Sequence, residues 1–471
     1  MTATNLEFTK FTFRAQPDPT MAAFSAASSR FVLLAAVAIL LLLLQGRLHR
    51  TYTVFTSTEP AAEYATAVVC QESTTTRDHS VDILLPTKRR QPRRKVVLLG
   101  PHDRFNFGDL LFEKVVSTLL VDRVGYRPEE PIRAGIVTTD MSEFGGPSTI
   151  FSLKTIQKLS HASKQPFDIV YLGGEAAGCP HGIGWRMLPT RALQESAKED
   201  KVYECAYLFP KEELVAPDYL GPSNMAVVNA LGRVTAIPPC QVAIDSADYR
   251  SFRNPVEGAD ERLVPDSAVM TRQLFCSYVE NVDNFPDLKD ILSRGDYIAV
   301  QHKERDLDPV ALAAALDPIA RETNCSIVFF AAGTVHWHDS FDAYRRVANR
   351  LNSTVFVLDN DPNVWKVVAT VAHAKAVMST SLHVRIMAFQ FQKPRVTWCN
   401  DHEKHYYFIK HWEQLSDDNI CFPLNETAHA LRRSVPMDEA RIKNITDAYL
   451  ASFDEWSNML LHGHRKNVTR I

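Results

Sequence analysis

Short apolar runs alternate with amphipathic segments through the second half of the chain. The runs have the length of buried strands, and the segments between them repeat apolar residues at helical spacing. The apolar runs are residues 297–301, 326–331 and 354–358 and the run that begins at residue 376, and the helical segments are residues 308–323, 339–351 and 361–374. Asp361 suits the N-cap of the last helix and Pro362 its first position. Four strands that alternate with helices predict a parallel, doubly wound sheet.

The first half of the chain shows the same alternation less regularly. Residues 96–99 form a strand-like run, and the turn-rich loop GPHDRFNFG follows it up to Gly108. A helical pattern then opens at Asp109, which places Asn106 and Asp109 at the mouth of a helix. Asp109 is also a good first-turn residue on structural grounds alone. Further strand-like runs are residues 134–139, 167–172 and 225–230.

Residues 376–396 (AVMSTSLHVRIMAFQFQKPRV) join an apolar run, a polar hinge and an amphipathic run. This pattern predicts a strand, a tight turn and a helix, whose start any residue of the Ser-Thr-Ser run at 379–381 can cap. His383 and Arg385 fall in the first turns, where backbone N–H groups and the helix dipole favour anions. The pattern suggests a site for a phosphate or a carboxylate, and a buried helix with two polar edge residues is the structural alternative.

Other polar residues stand just past predicted strands. Lys303 follows the run at 297–301, and His336 and His338 follow the run at 326–331. Ligands of parallel sheets bind beyond the carboxyl ends of the strands, so these residues are candidates for one site. The His336-x-His338 pair lacks a third ligand, and the eight cysteines show no C-x-x-C or C-x-x-H spacing. We therefore expect no metal.

Composition adds limits to this picture. A chain of 471 residues has room for two or three domains. Its content of 45% hydrophobic and 23% charged residues is ordinary for a globular protein. The formal net charge of -3 gives no overall attraction to nucleic acid, which we do not expect as a partner. Any anion site must therefore come from a local cluster of cationic groups.

The N-terminal region contains an uninterrupted apolar run, FVLLAAVAILLLLL, at residues 31–44. A plasma-membrane span needs about 20 apolar residues, but thin early-secretory membranes accept shorter spans. No small-x-small cleavage site follows the run, which favours an uncleaved signal anchor. A cleaved signal peptide that starts at Met21 is the alternative. The flanking Lys and Arg residues favour an N-terminus in the cytosol.

The region after this run has features of a secretory protein. Residues 47–95 contain Thr- and Ser-rich pieces and predict a stem. Sequons for N-glycosylation begin at Asn324, Asn352, Asn425, Asn444 and Asn467. Together with a signal anchor they predict a single-pass type II protein of the Golgi membrane with a luminal body. In an oxidising lumen some cysteines pair, and Cys399 and Cys421 flank one loop as a candidate pair.

Three segments, in this order, resemble the polysaccharide pyruvyltransferase family. Residues 106–111 (NFGDLL) resemble the N-x-G-D-x-L loop that follows its first strand. Residues 249–254 (YRSFRN), with the VPD at 264–266, resemble its V-R-D segment and later P-D. Residues 379–388 (STSLHVRIMA), with a proline six residues later, resemble its S-x-R-L-H-x-x-I-x-A block. The resemblance covers about residues 95 to 425.

Two residues depart from the family pattern. Ser381 stands where the family has the arginine of its R-L-H triplet, and Asn254 stands where it has the aspartate of V-R-D. Arg385 lies four residues beyond Ser381 on the predicted helix and is a candidate substitute for the missing cation. Because these departures concern donor binding and turnover, two alternatives stay open: a nucleotide-sugar-dependent GT-B glycosyltransferase, and a catalytically inactive glycan-binding relative.

The resemblance implies an α/β fold with two Rossmann-like, doubly wound domains that face a cleft, as in GT-B enzymes, preceded by the N-terminal transmembrane helix and stem. The expected divisions are a cytosolic tail (1–30), a signal anchor (31–46), a stem (47–95), an N-terminal Rossmann-like domain (96–262), a crossover linker (263–292), a C-terminal Rossmann-like domain (293–430) and a C-terminal helical region (431–471).

The resemblance also implies an activity: transfer of pyruvate from phosphoenolpyruvate onto a sugar diol as a ketal, with release of phosphate and no cofactor. The expected partner is a glycan acceptor, with galactose-containing glycans as candidates. His383 and Asp109 are the expected catalytic residues. Together with the strand-end positions, the resemblance suggests substrate-binding roles for Asn106, Gly108, Arg253, Ser381, Arg385, His336 and Lys303.

Overall fold

The apolar runs of the chain form two parallel β-sheets in the computed structural model of the protein. The first sheet contains β1 (Lys95–Leu99), β2 (Ile132–Gly135), β3 (Phe151–Ser152), β4 (Phe167–Tyr171), β5 (Ala226–Leu231) and β6 (Tyr249–Phe252). The second contains β7 (Tyr297–Gln301), β8 (Ser326–Phe330), β9 (Val355–Leu358), β10 (Ala376–Ser379) and β11 (Arg395–Thr397). The α/β class with parallel sheets that the sequence predicts is therefore confirmed.

The structure describes residues 95–135, 138–152, 155–156, 158–159, 167–174, 225–232, 247–255, 262–334, 338–359, 362–398, 402–416, 420–434 and 438–462. The chain divides into two units, Met1–Pro60 and Ala61–Ile471, and all described residues lie in the second. The predicted signal anchor and nearly all of the predicted stem fall outside the described residues. Within the described ranges, the structure has no helix that is both long enough and apolar enough to cross a membrane.

The strand order of each sheet places its ligand-binding edge. The first sheet runs β3-β2-β1-β4-β5-β6, and the second runs β11-β10-β7-β8-β9. Both orders reverse direction once, next to β1 in the first sheet and next to β7 in the second, as in the Rossmann fold. The loops that follow the switch-point strands β1, β4, β7 and β10 are where such sheets bind ligands. The loops after β1, β7 and β10 hold most of the site residues that the sequence suggests.

Helices connect the strands of the second sheet as the periodicity predicts, and one helix connects β1 to β2. Those in the described ranges are α1 (Phe107–Leu119), α2 (Thr271–Glu280), α3 (Pro286–Ser293), α4 (Pro309–Thr323), α5 (Phe341–Ala348), α6 (Val364–His373), α7 (Leu382–Gln390), α8 (His402–Tyr407), α9 (Thr427–Arg433) and α10 (Glu439–His462). Ser381 caps α7 by accepting a hydrogen bond from the Val384 N–H. The expected cap of α6 at Asp361 is wrong, because α6 starts at Val364 and the side chain of Asn363 caps it instead.

The long helix α10 packs back onto the first sheet. The Tyr449 hydroxyl lies 3.1 Å from Asn229 Nδ2 on β5, and the Tyr249 hydroxyl on β6 lies 2.7 Å from Ser452 Oγ. Trp456 on the same helix is fully buried in a hydrophobic cluster that contains residues of both sheets. Since α10 follows the second sheet in sequence, this packing ties the end of the chain to the first sheet.

Candidate functional site between the two sheets

Backbone hydrogen bonds join the two sheets where their carboxyl ends meet. The Phe107 N–H donates to Ala332 O at 2.8 Å, and the Thr334 N–H donates to Phe105 O at 3.2 Å. Asn106 and Gly333 form an antiparallel bridge between these two bonds. The start of α1, which follows β1, is therefore fixed against the loop that follows β8.

His383 packs directly on the start of α1. A Cβ placed on Gly108 would lie 2.0 Å from His383 Nδ1, so only glycine permits this approach. Two phenyl rings on α1 meet the imidazole edge-on, with ring centroids 6.1 Å away for Phe107 and 5.1 Å away for Phe112. The second residue of α1 and the second residue of α7 are thus in contact, and two helix N-termini meet at one point.

Arg253 and Asp266 complete the group around His383. Arg253 NH1 lies 2.6 Å from Asp266 Oδ2, and His383 Nε2 lies 3.4 Å from the same oxygen and 3.4 Å from Arg253 NH1. Although burial by itself raises the pKa of Asp266, the Arg253 charge and the His383 interaction hold this pKa below its usual range. Gly232 makes room for the guanidinium, since a Cβ there would lie 2.6 Å from Arg253 Nε. An ionised carboxylate therefore orients a cation and an imidazole together.

Asp109 forms a second buried ion pair beside this group. Its Oδ2 lies 3.2 Å from Arg104 NH2, and the residue is 4% exposed. Burial raises the pKa of Asp109, while the charges of Arg104, His383 and Arg253 oppose this rise. A buried carboxyl group with a raised pKa is a candidate for acid/base chemistry.

The group as a whole favours an anion. The two carboxylates of Asp109 and Asp266 are offset by the guanidinium groups of Arg104 and Arg253. The N-termini of α1 and α7 add partial positive charge at the same point, and the Asn106 side chain caps none of the described N–H groups of α1. His383, which is 13% exposed, can exchange a proton there.

Other residues that the sequence suggests lie in different settings. Ser381 is the N-cap of α7, two residues before His383. The Lys303 N–H, just past β7, donates to Thr380 Oγ1 at 3.0 Å, next to Ser381. Arg385 is paired differently from our expectation, because its guanidinium binds both oxygens of buried Glu413 at 2.8 Å. We therefore leave Arg385 out of the proposed site. His336 lies outside the described residues.

Sequence reasoning missed three contributors to the site. From the sequence, Asp266 was noted only as part of a motif, although it binds both Arg253 and His383. Arg104 and Gly232 carry no pattern that points to a site; only their contacts with Asp109 and Arg253 reveal them. A polar residue in an otherwise apolar segment, such as Asp266 after Val264-Pro, is the signal that could have found the first. In the described part of the chain, no group of three His, Cys, Asp or Glu residues is placed to hold a metal ion.

Replacing Gly108 by alanine should lower stability and activity because the new methyl group meets His383. Alanine in a helix is otherwise favoured over glycine by about 1 kcal/mol. We therefore expect a change of sign: Gly108→Ala destabilises the wild-type protein but stabilises a His383→Ala protein, as measured by urea unfolding. Destabilisation of the same size in both backgrounds would show that the imidazole is not what excludes the methyl group.

His102, in the loop after β1, should make the fold sensitive to acid. The side chain is fully buried, and neither ring nitrogen has a hydrogen-bond partner among the described residues. Burial lowers the pKa of His102 from 6.5 to about 4. The unfolded chain therefore takes up this proton between pH 6.5 and 4 while the folded protein does not, and stability falls across that range.

The test compares wild type with His102→Leu by urea unfolding at pH 7 and pH 5. Wild type should lose about 2 kcal/mol more than the variant between these pH values, because one pKa unit corresponds to about 1.4 kcal/mol. Equal losses would mean that His102 is protonated equally in the folded and unfolded chains.

Residues 246–400 match the family described as polysaccharide pyruvyl transferase. This match confirms the resemblance for the two later segments and contains Arg253, Asp266, Ser381 and His383, while the segment at 106–111 lies outside it. A comparison with curated proteins found no match.

Several solved structures are similar to the chain at low identity. A Staphylococcus aureus MnaA–UDP structure has 13% identity, covers 78% of this chain and 96% of its own, and gives a TM-score of 0.46. Methanocaldococcus jannaschii UDP-GlcNAc 2-epimerase has 10% identity, coverage of 77% and 99%, and a TM-score of 0.47. Escherichia coli ADP-heptose LPS heptosyltransferase II has 12% identity, coverage of 76% and 99%, and a TM-score of 0.32. Since these TM-scores lie below 0.5, the fold assignment comes from the strand order of the chain itself.

Proposed function

We propose that this chain transfers pyruvate from phosphoenolpyruvate onto a sugar diol. Its residues 246–400 match the polysaccharide pyruvyl transferase family, which supports a transferase. The observation that carries the proposal is that the N-termini of α1 and α7 meet beside Arg253 and His383, two residues of that region. This group offers a guanidinium, an imidazole and helix N–H groups, which are donors that a phosphate or a carboxylate binds. Modification of a polysaccharide follows from the family match, and the donor is our inference.

The donor brings two anionic groups, a phosphate and a carboxylate, into the site. Arginine binds either group through paired N–H donors, and free N–H groups at a helix N-terminus bind either group as well. Arg253 NH1 binds Asp266, and its Nε and NH2 lie beside Gly232, where a Cβ would be 2.6 Å from each. We assign Arg253 and the start of α7 to the donor, with Ser381 fixing the helix start.

The reaction needs one proton at carbon and two new C–O bonds. One sugar hydroxyl adds to C2 of the enol while C3 takes up a proton and becomes a methyl group. The second hydroxyl then attacks C2, and phosphate leaves with the C–O electron pair. The protons of the two hydroxyls balance the one gained at C3 and the one carried by phosphate. A single acid/base group beside C2 and C3 can serve both steps.

His383 and Asp109 are the residues that we assign to proton transfer. His383 Nε2 lies 3.4 Å from Asp266 Oδ2, and Asp109 directly follows Gly108, the residue that the imidazole contacts. Burial raises the pKa of Asp109, which makes its carboxylate a stronger base towards a sugar hydroxyl proton and lets the acid form return that proton. Asn106, at the start of α1, is placed to bind the acceptor next to Asp109.

We also propose that the body of the protein lies in the Golgi lumen behind an N-terminal anchor. The apolar run at residues 31–44 supports the anchor. Cys276 and Cys421 each take part in a disulfide bond, and such bonds are typical of an oxidising compartment. The side chains of the four described sequon asparagines, Asn324, Asn352, Asn425 and Asn444, are exposed. Resistance of the membrane-bound protein to alkaline extraction, with glycan loss on endoglycosidase treatment, would test this placement.

The donor is tested by incubating the protein, purified from a secretory host, with galactosides and either phosphoenolpyruvate or UDP-sugars. We expect phosphate release from phosphoenolpyruvate that depends on the acceptor. Nucleoside diphosphate release would favour the glycosyltransferase alternative. Glycan binding without turnover of any donor would favour the inactive relative.

A further inference from the structure

We propose that Asp339, which lies outside the group around His383, is a positioning residue that holds both sides of the Gly108–His383 contact in place. The expected kinetic effect rests on the proposed function, whereas the structural role of Asp339 does not. Asp339 follows β8 and precedes α5, and it is 7% exposed.

The Asp339 carboxylate organises the loop after β8. Its Oδ2 accepts hydrogen bonds from the N–H groups of Ala332 at 2.6 Å and Gly333 at 3.3 Å. The Asp339 N–H in turn donates to Gly333 O at 3.0 Å. The turn at residues 332–333 is therefore fixed to Asp339 by three bonds.

This turn is the one that holds the start of α1. Ala332 O accepts the hydrogen bond of the Phe107 N–H, the first residue of α1, and Gly333 bridges Asn106. Gly108 and Asp109 follow immediately. Asp339 is thus linked to one side of the contact by two successive hydrogen bonds, from its carboxylate to the 332–333 turn and from that turn to Phe107.

The other oxygen of Asp339 reaches the opposite side of the contact. Asp339 Oδ1 accepts from Gln301 Nε2 at 2.6 Å, and Gln301 Oε1 accepts from the Thr380 N–H at 3.1 Å. Thr380 directly precedes Ser381, the N-cap of the helix that carries His383. One carboxylate therefore fixes the starts of both α1 and α7, which come from different sheets.

Asparagine cannot replace Asp339 in this arrangement. The three groups of described residues that bond to the carboxylate are all donors, whereas an asparagine side chain offers one oxygen and one NH₂ group. If its oxygen faces the 332–333 turn, its NH₂ meets Gln301 Nε2, and a flipped Gln301 then presents an NH₂ group to the Thr380 N–H. Burial raises the pKa of Asp339 to about 7, and the three donors oppose this rise by favouring the carboxylate.

Asp317 offers a matched control in the same sheet. It is 9% exposed, and its carboxylate accepts from the N–H groups of Asn352 and Ser353. These residues precede β9, at the edge of the sheet opposite the carboxyl ends where α1 and α7 begin. Asp317→Asn therefore removes a similar buried acceptor without touching the proposed site.

The experiment measures hydrogen exchange and steady-state kinetics on the Asp339→Asn and Asp317→Asn proteins. For Asp339→Asn we expect exchange at residues 107–111 about tenfold faster, and kcat about 100-fold lower per folded molecule with the KM for phosphoenolpyruvate little changed. Asp317→Asn should leave both properties at wild-type values. Wild-type exchange at residues 107–111 in Asp339→Asn, or the same kinetic change in both variants, would overturn the proposal.

Two further outcomes also bear on the proposal. If Asp339→Asn does not fold, Gly333→Ala perturbs the 332–333 turn that holds the start of α1, since its Cβ would lie 3.3 Å from both Phe105 O and His338 Nδ1, and should give the same kinetic change. Normal kinetics in a folded Gly333→Ala protein would then contradict the proposal. If the wild-type protein shows no pyruvyl transfer, the proposed function fails, while the exchange comparison still decides whether Asp339 holds the start of α1.

Discussion

Replacing His383 by alanine should lower kcat for pyruvyl transfer by about 10²–10⁴-fold, the usual contribution of a general acid/base group. The imidazole lies between Gly108, Asp266 and Arg253, at the point where both helix starts meet. Its removal takes away the group that we assign to proton transfer at the enol carbon. The measurement is acceptor-dependent phosphate release from phosphoenolpyruvate by the purified protein.

His373→Ala provides the matched control for this change. His373 ends α6, is partly buried and bonds through Nε2 to Val279 O at 3.2 Å, away from the candidate site. We expect wild-type turnover from this variant. Wild-type phosphate release by His383→Ala would remove His383 from the mechanism, and an equal loss in both variants would indicate a general effect of losing a buried histidine.

Breaking the Arg253–Asp266 pair from one side should destabilise the protein by about 3–5 kcal/mol, because an unpaired buried charge remains. Both residues are buried, and Arg253 NH1 lies 2.6 Å from Asp266 Oδ2. We expect Arg253→Met to show this loss in urea unfolding and to abolish turnover. Since the folded protein holds the pKa of Asp266 below its usual value, the stabilisation is present at neutral pH and is lost only as the pH falls through that lowered value.

The double variant Arg253→Met/Asp266→Leu separates stability from function. Removing both charges should restore much of the lost stability, whereas turnover should stay absent. Recovery of stability without recovery of turnover is the result that our assignment predicts. If the two single losses simply add in the double variant, the two side chains do not interact and the description of the site is wrong.

The alternation of strands and helices was predictable because it depends on local periodicity. Residues 297–301, 326–331 and 354–358 become β7, β8 and β9 with small changes at their ends. The two-residue strand β3 was missed, since Phe151–Ser152 is too short to show a period. The cap of α6 was misplaced by two residues, since Asp361, Pro362 and Asn363 all suit a helix start and only the backbone geometry selects Asn363.

The site was less predictable because it depends on contacts between residues far apart in sequence. His383 and Asn106 could be found from helix starts and motifs, but the approach of His383 to Gly108 joins residues 275 positions apart. Arg385 shows the opposite error. It stands in the first turns of α7 as expected, but residues two apart on a helix face different directions, and Arg385 instead meets buried Glu413. The direction of each side chain around the helix axis decides that His383 joins the site and that Arg385 does not.

The most direct test of pyruvyl transfer by this chain is the mass of the acceptor after reaction with phosphoenolpyruvate. Galactosides would be incubated with wild-type protein or with His383→Ala, and the acceptor and the released phosphate would be quantified together. We expect one pyruvate ketal on the acceptor for each phosphate released by wild type, and almost none with His383→Ala. Phosphate release without a ketal, or ketal formation at equal rates by both proteins, would contradict this expectation.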